Sequence, residues 1–165
     1  MNSPYMGNFK VTQIQHANHD GLDLVGLDDK VIHSTVSGVV QYAGYENPND
    51  VKQGFGLYVC IKGVDGKYYY FGHLSQIYVK AGQIVAVTSV LGIEGSTGKS
   101  TGSHCHYCCR PTFAAGNAYD ISKISGIPNA IGTYNDGYNP NKEKDTGRKI
   151  EIFIDGQRKY SGLLD

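Results

Sequence analysis

The chain has 165 residues, enough for one domain with a sizeable buried core. Its 15 basic and 15 acidic side chains give a formal net charge of zero, and no long basic run exists. That balance argues against nucleic acid as a partner, and no stretch reaches the apolar length of a membrane span. The opening Met1-Asn2-Ser3-Pro4-Tyr5-Met6 lacks the charged start and apolar centre of a signal peptide.

In chain order, the first informative segment is His19-Asp20-Gly21-Leu22-Asp23, running into Leu24-Val25 as a strand. If it is extended, His19, Gly21 and Asp23 share a face, and the bare glycine leaves room between two potential ligands. A rival pair, His16 and Asp20, has the same spacing; the position of Gly21 and the strand that follows favour His19 and Asp23. Val36 to Ala43 reads as a strand containing Gly38. Gly54-Phe55-Gly56 then introduces a strand from Leu57 to Lys62, and Gly63-Val64-Asp65-Gly66 turns the chain into a returning strand, Lys67 to Phe71. His73 closes that strand and is expected on the rim of a groove. His33 has no partner at useful spacing. Ile77 to Val79 and Gln83 to Thr88 flank a turn at Lys80-Ala81-Gly82, and Leu91 to Ile93 and His104 to Arg110 add two short strands.

No segment up to Arg110 keeps a helical period over three turns. The expected fold class is therefore all-β, an open antiparallel β sandwich or roll of short strands with a short irregular C-terminal extension. Beyond Arg110, Ile121-Ser122-Lys123-Ile124 suits one short helix, 135–149 reads as a polar linker, and Ile150 to Tyr160 reads as a hairpin around Asp155-Gly156. The expected division is a main domain at 1–134, a linker at 135–149 and a hairpin extension at 150–165.

The four cysteines, Cys60, Cys105, Cys108 and Cys109, are too few and too clustered for a disulfide scaffold. Strand alternation sends Cys105 and Cys108 to opposite faces, so reduced, buried thiols are expected in place of a zinc set.

The densest chemistry lies in Gly95-Ser96-Thr97-Gly98-Lys99-Ser100-Thr101-Gly102-Ser103-His104-Cys105-His106. Alternation puts His104 and His106 on one face of a strand. Two adjacent imidazoles can both bind a metal, or one can bind while the other moves protons. A hydrolytic zinc needs about three protein ligands and one open position. His106 with His19 and Asp23 makes such a two-histidine, one-carboxylate set.

In order along the chain, His19-x-Gly21-Leu22-Asp23, Gly38-Val39-Val40 with Tyr42-Ala43-Gly44, Gly72-His73-Leu74, and the glycine-rich run into His104-Cys105-His106 resemble the lysostaphin-type zinc metallopeptidases. These are endopeptidases that cut peptide cross-links of bacterial peptidoglycan, and the resemblance covers about residues 16–110. It implies that His19, Asp23 and His106 bind zinc and that His73 and His104 form the catalytic pair beside it. It also implies an open antiparallel β structure with zinc at the floor of a long groove. Phe71 stands where the family often has Tyr, and Cys105, Cys108 and Cys109 stand where Leu, Glu and Val are more common. The segment around Gly126-Ile127-Pro128-Asn129 resembles extensions in some phage-type lysins.

The resulting expectation is a zinc-dependent endopeptidase, monomeric, acting on peptidoglycan peptides, with no nucleic-acid or membrane partner. Its setting would be a phage-type lysin released from the cytoplasm or a piece of a larger exported or virion protein. Two rival classes are an inactive wall-binding or regulatory relative and a sugar-transport phosphocarrier. The former usually lacks a ligand, whereas none is missing here; the latter leaves Asp23 and the His-x-His spacing unexplained.

Overall fold

The structure is a computed structural model that describes residues 1–113 and 116–136. The expected hairpin at Ile150 to Tyr160 and nearly all of the expected linker lie outside the described residues. The strands are β1 (Asn8–Gln13), β2 (Leu22–Gly26), β3 (Val31–His33), β4 (Gly38–Tyr45), β5 (Leu57–Gly63), β6 (Tyr68–Ile77), β7 (Ile84–Val85), β8 (Val90–Glu94), β9 (Cys105–Arg110) and β10 (Gly132–Asn135). One helix, α1 (Ile121–Ser125), is capped by the Asp120 carboxylate, which accepts from the Ser122 N–H, and by left-handed Gly126. All strand pairings are antiparallel, in the order β10-β1-β2-β9-β6-β5-β4-β7, with β8 joined to β6 and β3 to β8. The all-β open antiparallel class expected from the sequence is the class observed.

Period-two alternation divides the two faces. On β9, Cys105, Tyr107 and Cys109 join the main core with Leu22, Leu24, Val59, Ile61 and Phe71. Cys108 lies on the other face, in a second cluster with Tyr58, Cys60 and Tyr70, flanked by Tyr42, Phe55, Tyr68 and Phe113. The four thiols are buried and free of disulfides, as their clustering suggested.

Several boundaries differ from the sequence reading. The strand expected at Gln83 to Thr88 shrinks to Ile84–Val85, because Thr88 takes a positive φ of 78°. The strand expected at Lys67 to Phe71 runs on to Ile77 as β6, and of the strand expected at Ile77 to Val79 only Ile77 is in a strand. His73 therefore lies within a strand instead of closing one. Its φ of 63° bends the backbone, so Tyr68 to Gly72 pair with β9 while Leu74 to Ile77 pair with β8. The sheet forks at this bend.

Gly21 also has a different reason from the one expected. A Cβ there would lie 2.7 Å from the Cys108 Cβ and collide with the Tyr107 carbonyl, so glycine permits the approach to β9 rather than opening space between ligands. Gly21→Ala should therefore lower unfolding free energy by about 1–3 kcal/mol, the usual cost of overpacking a well-filled site. Urea denaturation measures this, and an unchanged midpoint would show that β9 yields easily.

Candidate metal centre

Strand register builds the centre. In the β2–β9 pair Asp23 stands directly opposite His106, and in the β6–β9 pair Gly72 stands opposite the same histidine. Directly opposed residues bring their Cβ atoms within about 4.5–5.5 Å. Asp23 and His106 are thus neighbours by construction, and side-chain-free Gly72 leaves the imidazole space on its other flank. A Cβ at Gly72 would crowd Phe55 Cδ1 at 2.9 Å.

His19 arrives from a tight reversal. His16 and His19 exchange both backbone hydrogen bonds, at 2.9 and 3.0 Å, and the chain bends again before β2. The segment is therefore not the straight extension expected. The His19 Nδ1–H donates to the Ile14 carbonyl at 2.9 Å, which leaves Nε2 facing Asp23 Oδ1 at 3.1 Å. His106 Nδ1 faces the same oxygen at 3.0 Å. Candidate donor atoms from His19, Asp23 and His106 all lie within 4.8 Å of one another. Rival His16 is exposed, and its Nδ1 accepts the Asn18 N–H at 3.2 Å. His33 is remote from this group, its ring bonded to the Thr88 carbonyl.

The three groups suit a d¹⁰ divalent metal such as zinc, which takes imidazole nitrogen and carboxylate oxygen in a tetrahedral set with one place open. Burial would raise the Asp23 pKa, but hydrogen bonds from His106 and His19 prevail and hold the carboxyl well below its usual range. His19 is shifted upward, chiefly by its bond to Asp23. A cluster of imidazoles around one buried carboxylate is the arrangement expected where protons stand in for a cation.

Asp20, Cys108 and the outer nitrogen of His106 make a second close group, with donor atoms within 4.8 Å. There, however, the Arg110 guanidinium already binds Asp20 Oδ2 through Nη2 at 2.7 Å and Nε at 3.1 Å. A fixed cation in that place makes the group an ion pair, not a metal set. Asp20 is the residue that sequence reasoning placed only in the rival pair. The bend at Gly21 lets Asp20 and Asp23 flank one imidazole, which residues three apart on a straight strand would not do. The available signal was Arg110, which shares a β9 face with His106 and Cys108.

His73 and His104 stand side by side, ring centroids 4.7 Å apart. His73 Nδ1–H donates to the Thr97 carbonyl at 2.7 Å, and His104 Nδ1–H to the Gly102 carbonyl at 2.8 Å. Each ring thereby leaves Nε2 for other work, and that of His104 lies 3.6 Å from Asp23 Oδ2. The glycine-rich run thus supplies carbonyls that orient both rings. Desolvation, helped by neighbouring histidines, pushes the His73 pKa down to about 4 despite the Thr97 bond.

The sign of this shift gives a test. Between pH 6.5 and about 4 the unfolded chain binds the His73 proton and the folded chain does not, so stability falls as pH falls. His73→Asn, a residue tolerant of positive φ, should remove that part of the slope. In chelator, the stability of wild type relative to the variant should decline from pH 7 to pH 4.5. A difference that stays constant over this range would mean that His73 protonates as readily folded as unfolded.

"DD-carboxypeptidase/endopeptidase Mpg" of Neisseria meningitidis is 32% identical over 92 residues, covering 56% of this chain and 20% of that protein. An "uncharacterized metalloprotease" of Haemophilus influenzae is 33% identical over 91 residues, covering 54% and 18%. The chain thus spans about a fifth of the length of these curated relatives. Among solved structures, a variant catalytic domain of the prophage-encoded M23 protein EnpA from Enterococcus faecalis superposes with a TM-score of 0.60 at 25% identity, covering 72% of this chain and 94% of that one. The catalytic domain of the antimicrobial peptidase lysostaphin from Staphylococcus simulans gives 0.59 at 26%, covering 74% and 93%. Residues 17–120 match Peptidase family M23, a span that holds His19, Asp23, His73, His104 and His106, and the chain belongs to that family of metallopeptidases.

Proposed function

We propose that this chain is a zinc-dependent endopeptidase that hydrolyses peptide cross-links of bacterial peptidoglycan, in the manner of a bacteriolytic phage-type lysin. The observation that carries the reading is the convergence of His19 Nε2 and His106 Nδ1 on the Asp23 carboxylate, with the His73–His104 pair alongside. Similarity to a DD-carboxypeptidase/endopeptidase and to an antimicrobial peptidase supports the substrate class.

In this reading His19, Asp23 and His106 hold the metal. Bound there, zinc would polarise a scissile carbonyl and bring the pKa of a coordinated water to about 7. His104, its Nε2 turned inward, takes the proton of the attacking water and delivers it to the leaving amine. His73 is neutral at pH 7, because burial holds its pKa down to about 4. It offers Nε2 to orient the water, or in the other protonation state an N–H to the developing oxyanion. All five groups fall within 1–134, the span this reading assigns to the catalytic domain. The proposal includes a monomer acting at the cell wall, as a released lysin or as part of a longer exported or virion protein.

Mass spectrometry of fragments released from defined peptidoglycans, paired with elemental analysis, tests this reading. Wild type should carry one zinc per chain and release cross-link fragments, and a chelator should stop it. Asp23→Ala should lose the metal. His104→Ala and His73→Asn should keep it yet turn over about 10²–10⁴-fold more slowly. Fragment release that persists without metal, or wild-type turnover in the histidine variants, would refute the assignment.

A further inference from the structure

His106 carries a carboxylate against each ring nitrogen. Asp23 Oδ1 lies 3.0 Å from Nδ1, and Asp20 Oδ1 lies 2.7 Å from Nε2. A carboxylate only accepts, so the Asp20 contact places a hydrogen on Nε2. Asp20 is itself gripped through its other oxygen by the Arg110 Nη2–H and Nε–H, at 2.7 and 3.1 Å. The guanidinium carbon in turn lies 4.8 Å from the Tyr70 ring centroid and 5.2 Å from that of Phe55. Phe55 also packs 5.7 Å from the His106 ring. A continuous run of contacts therefore leads from the aromatic cluster through Arg110 and Asp20 to one imidazole.

Such a run does something specific to a metal ligand. A carboxylate on the outer N–H fixes the tautomer and plane of the ring and makes the inner nitrogen more basic. An aspartate on the bent segment before β2 has several rotamers of its own, and the planar guanidinium fork selects one. The Asp20 side chain is 34% exposed and its Arg110 partner 16%, so water partly screens the pair and its contribution to folding is modest. Its carboxylate acts on the ring more than on the fold.

We propose that Asp20, held by Arg110, is a positioning residue that fixes the Nε2–H tautomer of His106 and aims the Nδ1 lone pair at the metal. The inference rests on the zinc reading above. Asp20 acts through His106 and touches neither metal nor substrate.

The test uses the full chain and the variants Asp20→Asn, Asp20→Glu and Arg110→Gln. Zinc affinity is measured by competition with a chromophoric chelator, the coordination sphere by Co²⁺ absorption, and the fold by the metal-free Tm. Asparagine removes the charge, and its amide fits either tautomer. Asp20→Asn should lose about 10–100-fold in zinc affinity and shift the cobalt bands, with the metal-free Tm unchanged. Asp20→Glu should recover part of the loss. Arg110→Gln should lose less than Asp20→Asn, and the double variant should bind no more weakly than Asp20→Asn alone. Wild-type zinc affinity in Asp20→Asn overturns the proposal. So does a loss matched by a fall in metal-free Tm with unmoved cobalt bands, which marks a merely structural role. If Asp20→Asn does not fold, Arg110→Gln decides: weaker zinc binding with unchanged metal-free Tm sustains the proposal, and wild-type affinity overturns it. A wild-type chain that takes up no zinc refutes the metal reading as well, a result distinct from a zinc-binding wild type equalled by its variants.

Discussion

The centre depends on the register of one antiparallel pair, β2 against β9, in which Asp23 faces His106. Side chains alternate with period two, so a slip of one residue would send His106 into the main core and bring Cys105 or Tyr107 to the site. The core prevents this. Leu22 and Leu24 on β2 and Cys105 and Tyr107 on β9 are fully buried on the opposite face. The hydrophobic pattern that folds the sheet thus fixes which polar groups meet. The consequence is an aspartate whose side chain is only 10% exposed, with His19, His104 and His106 gathered round it. Burying that anion is tolerable only with cationic or metal partners, and the geometry supplies both options.

The bend at His73 is the second constraint. A non-glycine residue at a φ of 63° inside a strand is uncommon, and it persists here because its surroundings hold it. The His73 N–H donates to the Phe55 carbonyl at 2.7 Å, and its ring is tied to Thr97. One residue thereby turns the sheet from β9 toward β8 and presents an imidazole at the fork. His104 enters from the position just before β9, where its backbone bridges to Gly95. Backbone strain, sheet branching and the paired histidines are parts of one local device.

Much of this was legible in the sequence. The faces of His104 and His106, the burial of the cysteines and the short helix at Ile121 follow from local rules of alternation, turn chemistry and capping. What stayed hidden was what depends on three-dimensional closure. The short strands β3 and β10 at the sheet's edges, and β1 between β10 and β2, carry weak patterns and exist because neighbours complete them. The continuation of β6 through Gly72-His73 hides behind a glycine that reads as a stop. Asp20 was obscured by the assumption of a straight segment: alternation put it opposite Asp23, and the bend at Gly21 puts both against one ring.

Two donor sets share His106: His19–Asp23 on its Nδ1 side, and Asp20–Cys108 on its Nε2 side. In the zinc reading the metal sits in the first, while the Arg110 guanidinium already pairs with Asp20 in the second. X-ray absorption at the zinc edge on the loaded full chain separates them most directly. A zinc held by His19, Asp23 and His106 should show nitrogen and oxygen neighbours alone at about 2.0–2.2 Å, with the outer-ring scattering of two imidazoles. A sulfur scatterer at about 2.3 Å would place Cys108 on the metal and contradict that ligand set.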